Sequence, residues 1–367
     1  MGPDGQAGAT GDVSDRRVVC RLEQVAHQGY YRLWQPFIAQ WTDRQLVVAF
    51  GAAIPGKTDM GDILCSVSSD DGNTWGFPVT IFGHRIPLGP LRFAYANPVL
   101  FRPAGQNAIW CFAMRCPLHY RDSEDSHLCA AYSSDGGRSW IAVEPAMAFH
   151  SPLIIVAGIA EAAASGEHAG VPSYLLPAHR NTLRHDPRGD RAHFILESTN
   201  LLEWRLAGYV PLPAGVFLHE GNIAPGDAVG ELKMVMRTAR YDDTHQALTP
   251  PVAYSSVSVD GGRVWSAAVP EPALPNSVSK AFFGRDALGR HIYVYNSGPA
   301  WERRALHYRV RQPGGDWAEA RVFFDTGVRN SYPTLLESAP GRFHAVWDSS
   351  DSAEQHRTLI RYGRLTL

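Results

Sequence analysis

The chain has 367 residues, a formal net charge of −2 and a 45% share of hydrophobic residues. A balance so close to neutrality argues against nucleic acid as a partner, because binders of that class carry a basic excess or stripe. No stretch approaches the roughly 18–20 apolar residues of a membrane span, since the longest apolar run, Leu153–Ala164, is short and carries Glu161.

Residues 1–16 are rich in Gly, Asp and Ala and lack the apolar core of a secretory signal, so they read as a disordered tail on a cytoplasmic protein. Residues 17–367 read as one domain. A strand at 17–22 opens it, followed by Gln35–Ile38, Leu46–Phe50, a polar loop Gly56–Asp62 and Ile63–Ser68. Further runs are Asn97–Phe101, Ala108–Met114, Leu128–Ser133, Tyr174–Pro177, His193–Glu197, His219–Ile223 and Leu232–Arg237. The last are Ser279–Phe283, His291–Asn296, Ala305–Val310, Ser331–Glu337, Phe343–Trp347 and Thr358–Tyr362. Each is short, rich in branched and aromatic residues, and stopped by Gly, Pro, Asn or Asp. Glu161–Ser165 is the one helix candidate.

Turns between these strands repeat one pattern, Ser-x-Asp-x-Gly-x-x-Trp. It occurs at Ser68–Trp75, Ser133–Trp140 and Ser258–Trp265, with looser forms at Ser198–Trp204 and Gly314–Trp317. The Asp accepts amide hydrogen bonds, the Gly takes a positive φ, and the Trp supplies a large packing surface. The tryptophans recur about 50 to 65 residues apart, a period that reads as blades of a β-propeller. Five marked blades leave the remaining chain for a sixth, so the expected fold is an all-β, six-bladed propeller of four-stranded antiparallel blades. The strand at 17–22 would close the ring against the last blade, leaving no free sheet edge.

Five cysteines (Cys20, Cys65, Cys111, Cys116, Cys129) form no CxxC pair and no metal-like cluster. They read as free thiols of a reducing compartment, with a Cys111–Cys116 bridge as the alternative. His179, His185, His193 and His219 match no metal-ligand spacing, and no metal or cofactor is expected.

Repeated boxes at these intervals resemble those of the sialidase (neuraminidase) superfamily, whose BNR/Asp-box propellers carry them on turns away from the reaction centre. The resemblance runs from about residue 30 onward and implies a set of site residues. Tyr332, opening the strand after Asn330-Ser331, stands where that family keeps its nucleophile. Glu220 stands where the base does, and Asp59, with Asp62 as alternative, where the acid does. Arg237 and Arg304 stand where two of three carboxylate-binding arginines belong. The third is missing: the family begins its first blade with Arg-Ile-Pro, and this chain has Gln35-Pro36-Phe37. Arg85-Ile86-Pro87 falls after the first box, in the wrong place, while Arg32 or Arg92 would have to reach in from elsewhere. Gln35, Asn97 and His219 complete the expected lining.

That chemistry suits a sugar with a carboxylate on its anomeric carbon. An anionic Asp nucleophile is repelled there, whereas a Tyr hydroxyl approaches uncharged and needs a neighbouring base. Guanidinium forks hold the carboxylate, and losing one charged partner costs on the order of 1.5–3 kcal/mol. The leading expectation is therefore a sialidase-like glycoside-processing enzyme on an acidic sugar. Two alternatives stand beside it: a propeller-fold lyase using His219 and Tyr332 as proton carriers, and a non-catalytic sugar-binding propeller.

Overall fold

The structure, a computed structural model, describes residues 13–57, 59–119, 126–148, 153–154, 157–163, 172–180, 192–214, 216–238, 252–299, 302–351 and 357–367. Antiparallel strands arranged as a propeller make up nearly all of it. The expected six separate four-stranded blades are not what the hydrogen bonds form. The strands join into five sheets: three of four strands, one of five and one of eight. The tryptophan count treats each turn box as the end of an independent sheet. At the first box this fails, because Gly61, opening the strand Gly61–Ser68, pairs with Tyr95 of Phe93–Phe101 and fuses two successive meanders.

Ring closure follows the expected route. Ser14–Arg21 pairs antiparallel with Leu359–Thr366, the last strand of the chain. The closing strand thus begins inside the segment expected as tail, while residues 1–12 lie outside the described residues. Leu22, expected in that strand, instead starts a four-residue helix, Leu22–Val25. The helix expected at Glu161–Ser165 is absent: Ala160–Ala163 is a strand paired with Pro172–Arg180, and residues 164 and 165 lie outside the described residues. His185 and 181–191 of the polar loop also lie outside them. All five cysteines are buried and free, so Cys111 and Cys116 form no bridge. No helix among the described residues is long and apolar enough to cross a membrane.

The apolar core lies between consecutive sheets. Val346, Ile360 and Tyr362 of the closing sheet pack on Leu46, Val48 and Phe50 of the next, and similar clusters continue around the ring. The boxes fasten the outer turns. In each full box the Ser hydroxyl donates to the Asp at 2.8 Å and accepts the Gly amide at 2.8–2.9 Å, and the Asp accepts the amide four residues on. In the loose fourth copy Asn200 accepts the amides of Leu202 and Glu203 in place of an Asp, and Leu201 takes the turn's positive φ of 66°.

Gly72 in the first box joins these two levels. Its φ is +82°, and a Cβ there would come 2.4 Å from Cζ of the core residue Tyr362. Gly72→Ala is expected to destabilise the protein by more than about 2 kcal/mol. Gly105→Ala, at φ +73° with nothing within 4 Å, is expected to lose only about 1 kcal/mol. Urea unfolding of the two variants measures the difference.

Candidate active site

Four of the innermost strands carry the same interruption. The ladder to the neighbouring strand skips between Trp34 and Phe37, Ala96 and Val99, His219 and Asn222, and Ser331 and Thr334. The first residue of each gap has a left-handed φ: 51° at Gln35, 57° at Asn97, 54° at Glu220 and 54° at Tyr332. The second is Pro36, Pro98, Gly221 or Pro333. Pro has no amide to give the ladder, so a bulge is the place in a central strand that tolerates it. A bulge also re-aims the side chain of its first residue. One backbone device thus presents a glutamine, an asparagine, a glutamate and a tyrosine from four of the innermost strands, all of them buried.

Cross-sheet contacts connect these residues. Glu220 Oε2 lies 3.1 Å from Arg237 Nε. Arg237 Nη1 donates to the carbonyl of Val278 at 3.0 Å, and Arg303 Nη2 donates to the same oxygen at 2.7 Å. Arg303 Nη1 then donates to the Tyr332 hydroxyl at 3.1 Å. The Arg303 and Arg357 guanidinium carbons lie 5.1 and 5.0 Å from the centroid of the Tyr332 ring. Asp348, fully buried, accepts the Gln35 amide at 3.1 Å and the Ser331 hydroxyl, and stands 3.8 Å from Arg357 Nη1. It ties the first sheet to the last beneath the hollow.

The electrostatics are strongly positive. Burial works against the Arg357 charge, but Asp348, Tyr332 and Asp59 raise its pKa above the ordinary guanidinium value. Burial and the neighbouring Arg357 and Arg303 bring Arg329 down to about 10. Burial brings Lys280 down to about 8 against the pull of Glu220 and Asp348. Among the described residues, Arg237, Arg303, Arg329, Arg357 and Lys280 therefore surround two inward carboxylates, Glu220 and Asp348. Such an excess is costly in a buried place unless an anion joins it.

The expected residues fare unequally. Tyr332, Glu220 and Arg237 are joined through Arg303 and the Val278 carbonyl, and Gln35 is tied to the Tyr332 strand through Asp348 and Ser331. Arg304 does not join them: its side chain is exposed and its Nε donates to the Gly327 carbonyl, while its neighbour Arg303 faces inward. Adjacent residues point opposite ways here, and sequence spacing did not choose between two consecutive arginines. Asp62 is buried and committed to Tyr30 and to the amide and ring of His84, at 2.5, 2.7 and 2.7 Å, so it is no free acid. Asp59 sits at the rim, half-exposed, paired with Arg32 at 2.6 Å. Asn97 turns its amide nitrogen to Met114 Sδ at 2.9 Å, and its Oδ1, like Gln35 Oε1, has no partner among the described residues. Arg85 bonds the Gln28 carbonyl. His219 stacks on His179 at 4.1 Å with Nδ1 3.5 Å from Arg237 Nη2, so that nitrogen accepts and the proton sits on Nε2. Arg357, Arg303, Val278 and Lys280 had no place in the sequence reading. The recurrence of Pro within inner strands, at 36, 98 and 333, was the one available signal for the bulges.

A family model described as a BNR repeat-like domain matches residues 43–345. No match to a curated protein was found. Among solved structures, a protein of unknown function from Dyadobacter fermentans superposes with a TM-score of 0.69 at 15% identity, over 98% of this chain and 100% of that one. The NanB sialidase of Streptococcus pneumoniae gives 0.70 at 10% identity, over 96% and 70%. The α-L-arabinofuranosidase Arb93A of Fusarium graminearum gives 0.61 at 12%, over 92% and 93%. These likenesses concern the fold, which is that of a sialidase-like propeller.

Two buried histidines beside the site set a pH dependence of stability. Burial brings His193 down to about 3, and burial, His193 and Arg237 push His179 well below the usual imidazole range. An unfolded imidazole gains its proton near pH 6.5. The folded state is therefore favoured in full above about pH 6.5, and this contribution is lost as pH falls toward 3. Each such group adds a slope of about 1.4 kcal/mol per pH unit in that window. His193→Phe is expected to remove one proton's worth of that slope, measured by urea unfolding between pH 4 and 7.

Proposed function

Because the chain belongs to the BNR repeat-like domain family, we propose that its axial hollow processes a glycoside of a carboxylated sugar. The observation that carries this reading is the unbroken run of contacts from Glu220 through Arg237, the Val278 carbonyl and Arg303 to the Tyr332 hydroxyl. It gathers a base, a nucleophile and an excess of positive charge in one buried place.

In this reading the substrate carboxylate lies among Arg237, Arg303 and Arg357. The Tyr332 oxygen attacks the anomeric carbon and its proton passes to Glu220. The Arg303 donor stabilises the negative charge that develops on the phenol oxygen as the proton leaves. The glycosidic oxygen departs with a proton from the rim, where Asp59 stands, and Asp59 must give up Arg32 to carry one. Water then cleaves the glycosyl–tyrosine bond, and Tyr332 recovers its proton. Glycosidases among structures of the same fold, a sialidase and an arabinofuranosidase, support the reaction class. The arginine cluster favours an acidic sugar over a neutral one.

Release of 4-methylumbelliferone from aryl glycosides tests the reading, with sialosides, uronides and neutral furanosides compared. Turnover is expected with an acidic sugar. Tyr332→Phe is expected to lose it by at least about 10³-fold with folding unchanged, and Arg303→Met to raise KM by roughly 10- to 100-fold. Turnover confined to neutral glycosides, or full activity in Tyr332→Phe, overturns it.

A further inference from the structure

The segment Asn276–Lys280, just before the inner strand Phe282–Arg285, is buried throughout, with no residue more than 3% exposed. Asn276 holds it in shape, donating to the Ser279 carbonyl and the Tyr293 hydroxyl and accepting the Ser279 amide. At its centre Val278 takes a φ of 57°, a conformation that a β-branched residue rarely adopts. Its carbonyl accepts from both Arg237 and Arg303. The Ser277 and Ser279 hydroxyls have no hydrogen-bond partner among the described residues.

Lys280 reaches across to two other sheets. Its Nζ donates to Thr334 Oγ1 of the Tyr332 strand at 3.2 Å, and that hydroxyl donates to the Pro36 carbonyl at 3.0 Å. The ammonium also lies 5.7 Å from the centroid of the Phe37 ring. Pro36 and Phe37 directly follow Gln35, the neutral residue where the resemblance leads one to expect an arginine. The lysine therefore brings a positive charge to the sector of the hollow that position 35 leaves uncharged. An ammonium has three donors, and the hydrogen bonds of Lys280 to the described residues use one.

Resting on the reading that this site takes an acidic sugar, we propose that Lys280 is its specificity-determining cation: it holds the substrate carboxylate from the side of Gln35, in place of a first-sheet arginine. A guanidinium ordinarily keeps its charge between pH 6.5 and 9, whereas an ammonium in this setting does not. Burial brings Lys280 down to about 8, with Glu220 and Asp348 opposing the shift. The charged groups facing it are Glu220 from Leu218–Pro225 and Asp348 from Arg342–Ser349, with Arg237 and Arg303 beyond the Val278 carbonyl and Tyr332 two residues from Thr334. The pH-dependent part of acid binding is therefore assigned to the Lys280 proton, beside the arginines that hold the carboxylate throughout.

The test is calorimetric titration with N-acetylneuraminic acid, with glucuronic acid, and with the methyl ester of each, between pH 6.5 and 9. Wild type is expected to bind at least one acid over its ester, and to lose that preference roughly tenfold per pH unit above about pH 8. Lys280→Met, whose straight side chain fits the same buried space, is expected to bind the acid about 10- to 100-fold more weakly at pH 7 and to show no such alkaline loss. Adding Gln35→Arg to Lys280→Met is expected to restore the acid preference without its pH dependence. Equal acid binding and an equal pH profile in wild type and Lys280→Met overturn the inference while leaving the acidic-sugar reading intact. Wild type that binds neither acid overturns that reading and the inference with it. Should Lys280→Met not fold, a wild-type acid preference that stays flat from pH 7 to 9 overturns the inference by itself.

Discussion

Two guanidinium groups share one carbonyl oxygen. The Arg237 and Arg303 nitrogens that bind Val278 stand no more than about 6 Å apart, where like charges repel by roughly 3 kcal/mol at an effective dielectric of 20. The carbonyl dipole offsets part of that, and Val278 gives up its preferred backbone conformation to supply it. Glu220 balances one side of the pair and Tyr332 receives the other. That shared oxygen thus links the arginine beside Glu220 to the arginine beside Tyr332.

The scaffold does its part through repetition. A propeller brings the innermost strand of each unit to the axis, and a bulge at one level of four of these strands turns a chosen side chain out of the ladder. The backbone solution is the same each time, so the chemistry of the hollow is decided by which residue precedes the Pro or Gly. Gln35 and Asn97 offer amides, Glu220 a carboxylate and Tyr332 a hydroxyl. Asp348 then links two of these bulges, through the Gln35 amide and the Ser331 hydroxyl, and so couples ring closure to site geometry.

Most strands and all three full boxes could be read from the sequence, because alternating apolar residues and Asp–Gly turns act over a few residues. The sheet count could not, since a single pairing, Gly61 with Tyr95, fuses two meanders and leaves no local trace. Glu220, Arg237 and Tyr332 were legible through the family resemblance, which places each of them on a recognisable strand. Arg304 was chosen over Arg303 because the loop between Asn296 and Leu306 gives no period from which to assign an inward face. Asp62 looked like a free loop acid, but Tyr30 and His84, distant or separated by a strand, occupy both of its oxygens. Arg357 and Lys280 carry no motif at all. Their roles come from contacts with residues more than 50 positions away, or from burial that only the closed ring creates.

Strain and unmet polarity coincide in this protein, and their coincidence argues for a ligand more strongly than either does alone. Left-handed non-glycine residues cost on the order of 1–3 kcal/mol each, and Gln35, Asn97, Glu220, Val278 and Tyr332 all gather around one hollow. A fold seeking only stability would recover that cost in hydrogen bonds at the same residues. Instead Gln35 Oε1 and Asn97 Oδ1 are buried without partners among the described residues, as are the hydroxyls flanking Val278. Buried polar atoms in native proteins are nearly always satisfied, and under the proposed reading a bound ligand supplies these partners. The surrounding cations favour an anion, and the unpaired amide oxygens require it to carry donors as well. A carboxylate attached to hydroxyl groups meets both demands.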